Sequence, residues 1–165
     1  MKTLTLVRHA KSSWDDPDLA DFDRPLNRRG ERDAPEMARR LAAAGDPPDR
    51  IVTSPALRAL QTARVLAPAL GIDPGSLVTE PRIYEASYSR LVEVLRGQPR
   101  AADHVLLVGH APGIADLARL LCGTPAAKFP TCGVVRMRLP IGGWQEAARG
   151  GGELVFFDYP KRDAR

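Results

Sequence analysis

The sequence predicts an α/β domain built on a largely parallel sheet, with helices on both faces. Short apolar runs alternate along the chain with stretches of helical periodicity. Glycines stand where two of the helical stretches should stop, at Gly45 and Gly71. The last two apolar runs flank a Gly-rich stretch instead of a helix, as an antiparallel pair closing the sheet would. A chain of 165 residues suits one compact core and is short for two, so residues 1–165 are expected to form a single domain without repeat or linker.

Thr3–Val7 is the first expected strand. The Asp- and Pro-rich segment Ser12–Pro25 follows it and is read as a loop over the carboxyl edge of the sheet. Asn27 is the N-cap of a helix expected to run to Ala44, which Pro35 should kink or divide. Ile51–Thr53 and Ala56–Leu70 supply the next strand and helix. Ile72–Ser89 has no assigned element and, like Ser12–Pro25, is placed to border a site. Leu91–Arg96, Val105–Val108 and Ile114–Leu121 continue the alternation. Gly133–Leu139 and Glu153–Phe157 form the closing pair, with Gly142–Gly152 as a loose connection.

Composition excludes more than it selects. The balance of 24 Lys+Arg against 20 Asp+Glu, a formal charge of +4, is compatible with an anionic substrate, a nucleic-acid partner or a plain soluble surface. Arg28, Arg29, Arg32, Arg39 and Arg40 interleave with Glu31, Asp33 and Glu36 as on a solvated helix, and few aromatics accompany them, so no nucleic-acid partner is expected. Cys122 and Cys132 have no metal-ligand spacing and do not make a secreted disulfide scaffold; both are expected to be reduced, buried thiols. The apolar start, Leu4–Val7, is interrupted by Arg8 and His9 and is too short for a signal-peptide core or a membrane span, so the protein is expected in the cytoplasm with no membrane partner.

Ligands of an open parallel sheet bind beyond the carboxyl ends of the strands, where loops lead into helix N-termini. Three polar clusters stand there: Val7-Arg8-His9-Ala10; Thr53-Ser54-Pro55 with Arg58 just after; and Val108-Gly109-His110-Ala111-Pro112-Gly113. Pro55 and Pro112 suit first-turn positions, which puts Arg58 about one turn into its helix and His110 just before another. Helix ends aim partial positive charge and free N–H groups at the same space. Singly, a strand-end histidine is structural and an arginine pairs with a surface carboxylate. Jointly, two guanidiniums and two imidazoles at one edge, on three strands, describe a site for a dianion, most naturally phosphate. His104 opens a strand at the opposite edge and is read as structural.

Leu6-Val7-Arg8-His9-Ala10-Lys11-Ser12-Ser13-Trp14 resembles the Arg-His-Gly motif that opens the histidine phosphatase (phosphoglycerate mutase-like) superfamily. Ser54-Pro55-Ala56-Leu57-Arg58-Ala59-Leu60-Gln61-Thr62 is similar to its second arginine motif, and Val108–Gly113 to its second-histidine motif. The resemblance runs from Thr3 to about Phe157. Short length and the segment Asp23-Arg24-Pro25-Leu26-Asn27-Arg28-Arg29-Gly30 are most similar to the SixA-type phosphohistidine phosphatases. It implies a three-layer α/β/α domain, a metal-free and cofactor-free reaction, phosphorylation of His9, and Arg8, Arg58 and His110 gripping the phosphoryl oxygens. Glu85, in Ile83-Tyr84-Glu85-Ala86-Ser87, stands where the family pattern places the general acid; read plainly, it is a loop carboxylate. Neutral imidazole is a good nucleophile near pH 7, and a backbone carbonyl on one ring nitrogen would aim the other. Arginine pairs its N–H groups with phosphoryl oxygens and stays charged.

Some positions depart from the pattern. Ala10 replaces the motif glycine and Ala111 a frequent asparagine, leaving one side-chain contact near His110 unsupplied. Asp15 stands where mutase-like relatives often have a phosphate-binding asparagine; a carboxylate would repel a dianion, so that contact is not carried over. Ser12 is read either as a further donor to phosphate or as a simple turn residue. The leading expectation is a phosphohydrolase whose partner is a phosphorylated substrate, with a phosphohistidine-bearing signalling protein favoured because little length is left for a lid. An open pocket equally admits a small phosphomonoester. A mutase, which needs a closed, dry site, is less favoured. A non-catalytic phosphate- or nucleic-acid-binding module is the reading from another class, and a nucleotide-cofactor protein is disfavoured because the first strand leads into no Gly-rich turn.

Overall fold

The computed structural model describes residues 1–125, 127–148 and 150–162. In chain order its elements are β1 (Lys2–Arg8), α1 (Arg28–Ala44), β2 (Arg50–Thr53), α2 (Leu57–Ala69), β3 (Val78–Thr79), α3 (Tyr88–Arg96), β4 (His104–Gly109), α4 (Gly113–Cys122), β5 (Val134–Leu139) and β6 (Glu153–Asp158). The sheet order is β3-β2-β4-β1-β5-β6. The first four strands in that order are parallel, and β5 and β6 close the sheet as the expected antiparallel pair.

Central β4 is buried along its whole length, as a parallel strand covered on both faces must be, and hence reads as an unbroken apolar run. The two-residue period of the strands then sorts the side chains between two cores. Leu4, Leu6, Val105 and Leu107 meet α3 and α4 on one face, while Ile51, Leu106 and Val108 meet α1 and α2 on the other. This makes the three-layer α/β/α architecture. Burial of a side chain the size of Leu41 or Leu66 stabilises it by roughly 1.5–3 kcal/mol. No helix among the described residues is long and apolar enough to cross a membrane.

Asn27 caps α1 as expected, its side chain accepting from the Gly30 backbone N–H at 2.9 Å. Gly30 itself is required by close approach, since a Cβ there would lie 2.1 Å from the Lys11 carbonyl oxygen. Pro35, expected to kink or divide this helix, does not divide it: α1 continues to Ala44. The proline sits on the solvent-facing side, where the Glu31 carbonyl that loses its helical donor can turn to water. The Gly142–Gly152 connection also departs from its expectation. It folds into a 3₁₀ turn at Trp144–Glu146 that buries Trp144 completely, with Nε1 donating to the Ala102 carbonyl at 2.7 Å. The gain from burying one indole outweighs the flexibility of its glycine neighbours. Both cysteines are free; Cys132 is buried as expected, whereas Cys122 is only half-buried at the end of α4.

Parallel register sets the site. Arg8 pairs with Gly109 across β1 and β4, and Thr53 with Val108 across β2 and β4. His9, His110 and Ser54 therefore leave three adjacent strands side by side at the carboxyl edge. Over that edge run the loop between β1 and α1, which contains a 3₁₀ turn at Asp21–Asp23, and the segment between β3 and α3, with a 3₁₀ turn at Pro81–Ile83.

Candidate active site

The His9 and His110 rings face one another with centroids 5.0 Å apart, and both are buried. The Nδ1 of His9 lies 2.8 Å from the Ala10 carbonyl oxygen. A carbonyl can only accept, so Nδ1 carries the proton and Nε2 of the neutral ring is left with its lone pair. The main chain around this ring is tied on three sides: His9 N–H donates to the Gly109 carbonyl, Cys132 N–H to the His9 carbonyl, and Ala10 N–H to Thr62 Oγ1, each at 3.0 Å. Thr62 Oγ1 in turn donates to the Arg58 carbonyl at 2.8 Å, so β1 and α2 are stitched together beneath the histidine.

His110 is held by Ser54, whose Oγ lies 2.7 Å from Nε2 and also accepts from the Ala56 N–H at 3.2 Å. Its Nδ1 is buried without a partner. Arg8 donates from Nη1 to the Phe129 carbonyl at 2.8 Å, and its Nε is likewise buried and unpaired. Arg58 donates from Nη1 to the Asp21 carbonyl at 2.6 Å and from Nη2 to Asp21 Oδ2 at 3.0 Å, leaving Nε buried and unpaired. Three N–H-bearing side chains of the cluster thus keep a buried polar atom without a partner, as donors that await an anion would. Arg58 is the second residue of α2, which begins at Leu57. It therefore lies within the first turn instead of one turn in, because neither Pro55 nor Pro112 enters its helix: each stands before it.

Burial is the largest cause holding the pKa of His9 down at about 3, with repulsion from His110, Arg58 and Arg8 adding to it. Burial first, then Arg58, lowers His110 to about 4. Both rings are consequently neutral at pH 7. In the unfolded chain they titrate near 6.5, so below that pH the unfolded state binds protons that the native state refuses, and stability falls as pH falls. At pH 5 the penalty is about 2 kcal/mol for each histidine. Urea unfolding is expected to show a lower midpoint at pH 5 than at pH 7, with a smaller pH difference in His9→Ala; equal midpoints in both proteins would show that these rings titrate normally.

Ser12 is buried at the mouth, its Oγ accepting from Arg24 Nη1 at 2.8 Å. Glu85 is exposed and holds a left-handed backbone, φ 55. It follows Tyr84, whose ring meets His110 edge-on at 5.5 Å between centroids. That loop is pinned from below, since a Cβ on Gly113 would come within 2.1 Å of the Ala86 carbonyl oxygen. His104 is buried at the far end of β4, bonded to Thr5 Oγ1 at 2.7 Å, away from this cluster. Asp21, Arg24, Ser54, Thr62 and Tyr84 join the cluster as well. Ser54 and Thr62 lie inside the second arginine motif, whereas Asp21 is one aspartate of five between positions 15 and 23 with nothing to distinguish it.

Residues 4–93 match the family model described as the histidine phosphatase superfamily, branch 1. An uncharacterized protein of Mycobacterium tuberculosis is 38% identical over 94% of this chain and 100% of its own length. Two solved structures of proteins provisionally named phosphohistidine phosphatase SixA have the same fold. That from Agrobacterium tumefaciens is 30% identical with a TM-score of 0.79, covering 96% of this chain and 98% of its own. That from Nakamurella multipartitia is 26% identical with a TM-score of 0.82, covering 97% and 96%.

Proposed function

The chain belongs to the histidine phosphatase superfamily, and from that premise we propose that it acts, as one domain and without a metal, as a phosphohydrolase that removes the phosphoryl group from phosphohistidine on a protein. The observation that carries this reading is the buried pair of neutral imidazoles with two arginines, in which His9 Nε2 holds the free lone pair. Nε2 attacks phosphorus, the bond from phosphorus to the substrate nitrogen breaks, and the departing imidazole takes a proton. Water then attacks the phosphorylated His9, the new P–N bond breaks, and inorganic phosphate leaves. Arg8 and Arg58 offer charged N–H groups to the equatorial oxygens throughout, and His110 adds a neutral donor; a preorganised donor of this kind is worth about 2.7–4 kcal/mol at the transition state.

A protein substrate is favoured by the names of the similar structures and by the lip of the pocket. Trp14 is 73% exposed, and Leu19 and Phe22 are exposed in the same loop. Apolar groups offered to water around a phosphate site suit a polypeptide surface better than a small ester.

Glu85 is the proposed acid for the departing group and base for the attacking water. Its role and the substrate class are tested together by kcat/KM for a phosphohistidine peptide, an alkyl phosphate and an activated aryl phosphate, in wild type and Glu85→Gln. Wild type is expected to prefer the peptide to the alkyl ester. The variant is expected to lose about 10²–10⁴-fold on the alkyl phosphate, little on the aryl phosphate, and to keep the peptide near the insensitive end, since a ring-protonated imidazole leaves easily. Faster wild-type turnover of the alkyl ester would make the enzyme a small-molecule phosphomonoesterase. A flat ratio across leaving groups would make Glu85 a spectator.

A further inference from the structure

The two terminal nitrogens of Arg58 are both engaged by one residue, Asp21, through its carbonyl oxygen at 2.6 Å and its Oδ2 at 3.0 Å. A guanidinium has two edges on which N–H groups can be paired, the Nη1/Nη2 edge and the Nε edge. Asp21 takes the first; Nε, on the second, is buried and unpaired. The same carboxylate accepts from the Tyr84 hydroxyl at 2.6 Å and from Arg24 Nε at 3.2 Å, and Arg24 reaches Ser12. Tyr84 in turn sets its ring edge against His110. One carboxylate therefore joins α2, the β1–α1 loop and the loop before α3.

We propose that Asp21 is a positioning residue for phosphoryl transfer: by occupying the outer edge of Arg58 it presents the Nε edge to the transferring group, and through Tyr84 it steadies His110. This rests on the reading that Arg58 grips the phosphoryl group. An ionised carboxylate at the mouth repels an incoming dianion, so it disfavours ground-state binding while it orients the donor that matters in the transition state. Removing its charge should therefore move the two kinetic constants apart. A purely structural residue would not do so, because its loss lowers the fraction of folded enzyme and leaves KM alone. A residue that merely blocks Arg58 would raise kcat when removed.

The test measures kcat and KM for an activated aryl phosphate, and inhibition by inorganic phosphate, in Asp21→Asn, Arg58→Ala and the double variant, with thermal melting as a fold check. Asp21→Asn is expected to lower kcat about tenfold and to lower KM and the phosphate inhibition constant as well; in the Arg58→Ala background the same change should alter kcat by less than about twofold, because the group it acts through is gone. Should Asp21→Asn fail to fold, Tyr84→Phe removes a donor to Oδ2 and keeps the ring, and is expected to lower kcat without raising KM. Wild-type or higher kcat in Asp21→Asn, or equal losses in both backgrounds, would overturn the proposal while leaving Arg58 in its role. Wild-type kinetics in Arg58→Ala would overturn the role of Arg58, and the proposal with it.

Discussion

His9→Ala is expected to abolish turnover of every phosphorylated substrate, by at least about 10⁴-fold in kcat, because a covalent route has no second nucleophile to fall back on. The ring contributes a single side-chain hydrogen bond, to the Ala10 carbonyl, and the backbone bonds around it do not involve the imidazole. The variant should therefore fold, with circular dichroism at pH 7 like that of wild type. Its stability should also depend less on pH between 7 and 5, since one neutral ring that resists protonation has been removed. Folded protein with wild-type turnover would dismiss His9 as the nucleophile.

Arg58→Ala is expected to cost about 2–4 kcal/mol of transition-state stabilisation, roughly 30- to 10³-fold in kcat/KM, and to weaken inhibition by vanadate. Two effects combine there. The charged N–H groups are lost, and Asp21, whose carboxyl Tyr84 and Arg58 hold down at about 2, keeps its negative charge beside the pocket without its guanidinium partner. Treatment with a chelator is expected to have no comparable effect. Inactivation by a chelator that added zinc or magnesium restores would contradict the metal-free reaction.

The architecture could be read from the sequence because burial writes itself into periodicity. The unbroken apolar run Val105–Val108, the Asn27 cap and the glycines after two helices are local signals, and each stands where the structure puts it. The Gly-rich connection is ordered against its propensity because Trp144 brings its own core contact to the segment. Pro35 does not divide α1 because it faces solvent, where the carbonyl that loses its donor is free to meet water. His9, Arg8, Arg58 and His110 were visible as strand-end and helix-start residues of three neighbouring strands. Asp21 and Tyr84 come from segments without regular periodicity, and their pairing spans 63 residues of sequence, so no local pattern could announce it. Ser12 fits two roles by sequence, and its Oγ accepts from Arg24, a contact set by the loop that folds over it.

The central claim is that the phosphoryl group passes through His9, and it can be trapped. Wild-type enzyme mixed rapidly with a phosphohistidine peptide or an aryl phosphate would be quenched in alkaline denaturant during turnover and mapped by peptide mass spectrometry. The expected result is phosphate on His9, stable to alkali, labile to acid, and missing from His9→Ala treated in the same way. Phosphate on any other residue, or an unmodified His9 in an enzyme that is visibly turning over, would contradict the account.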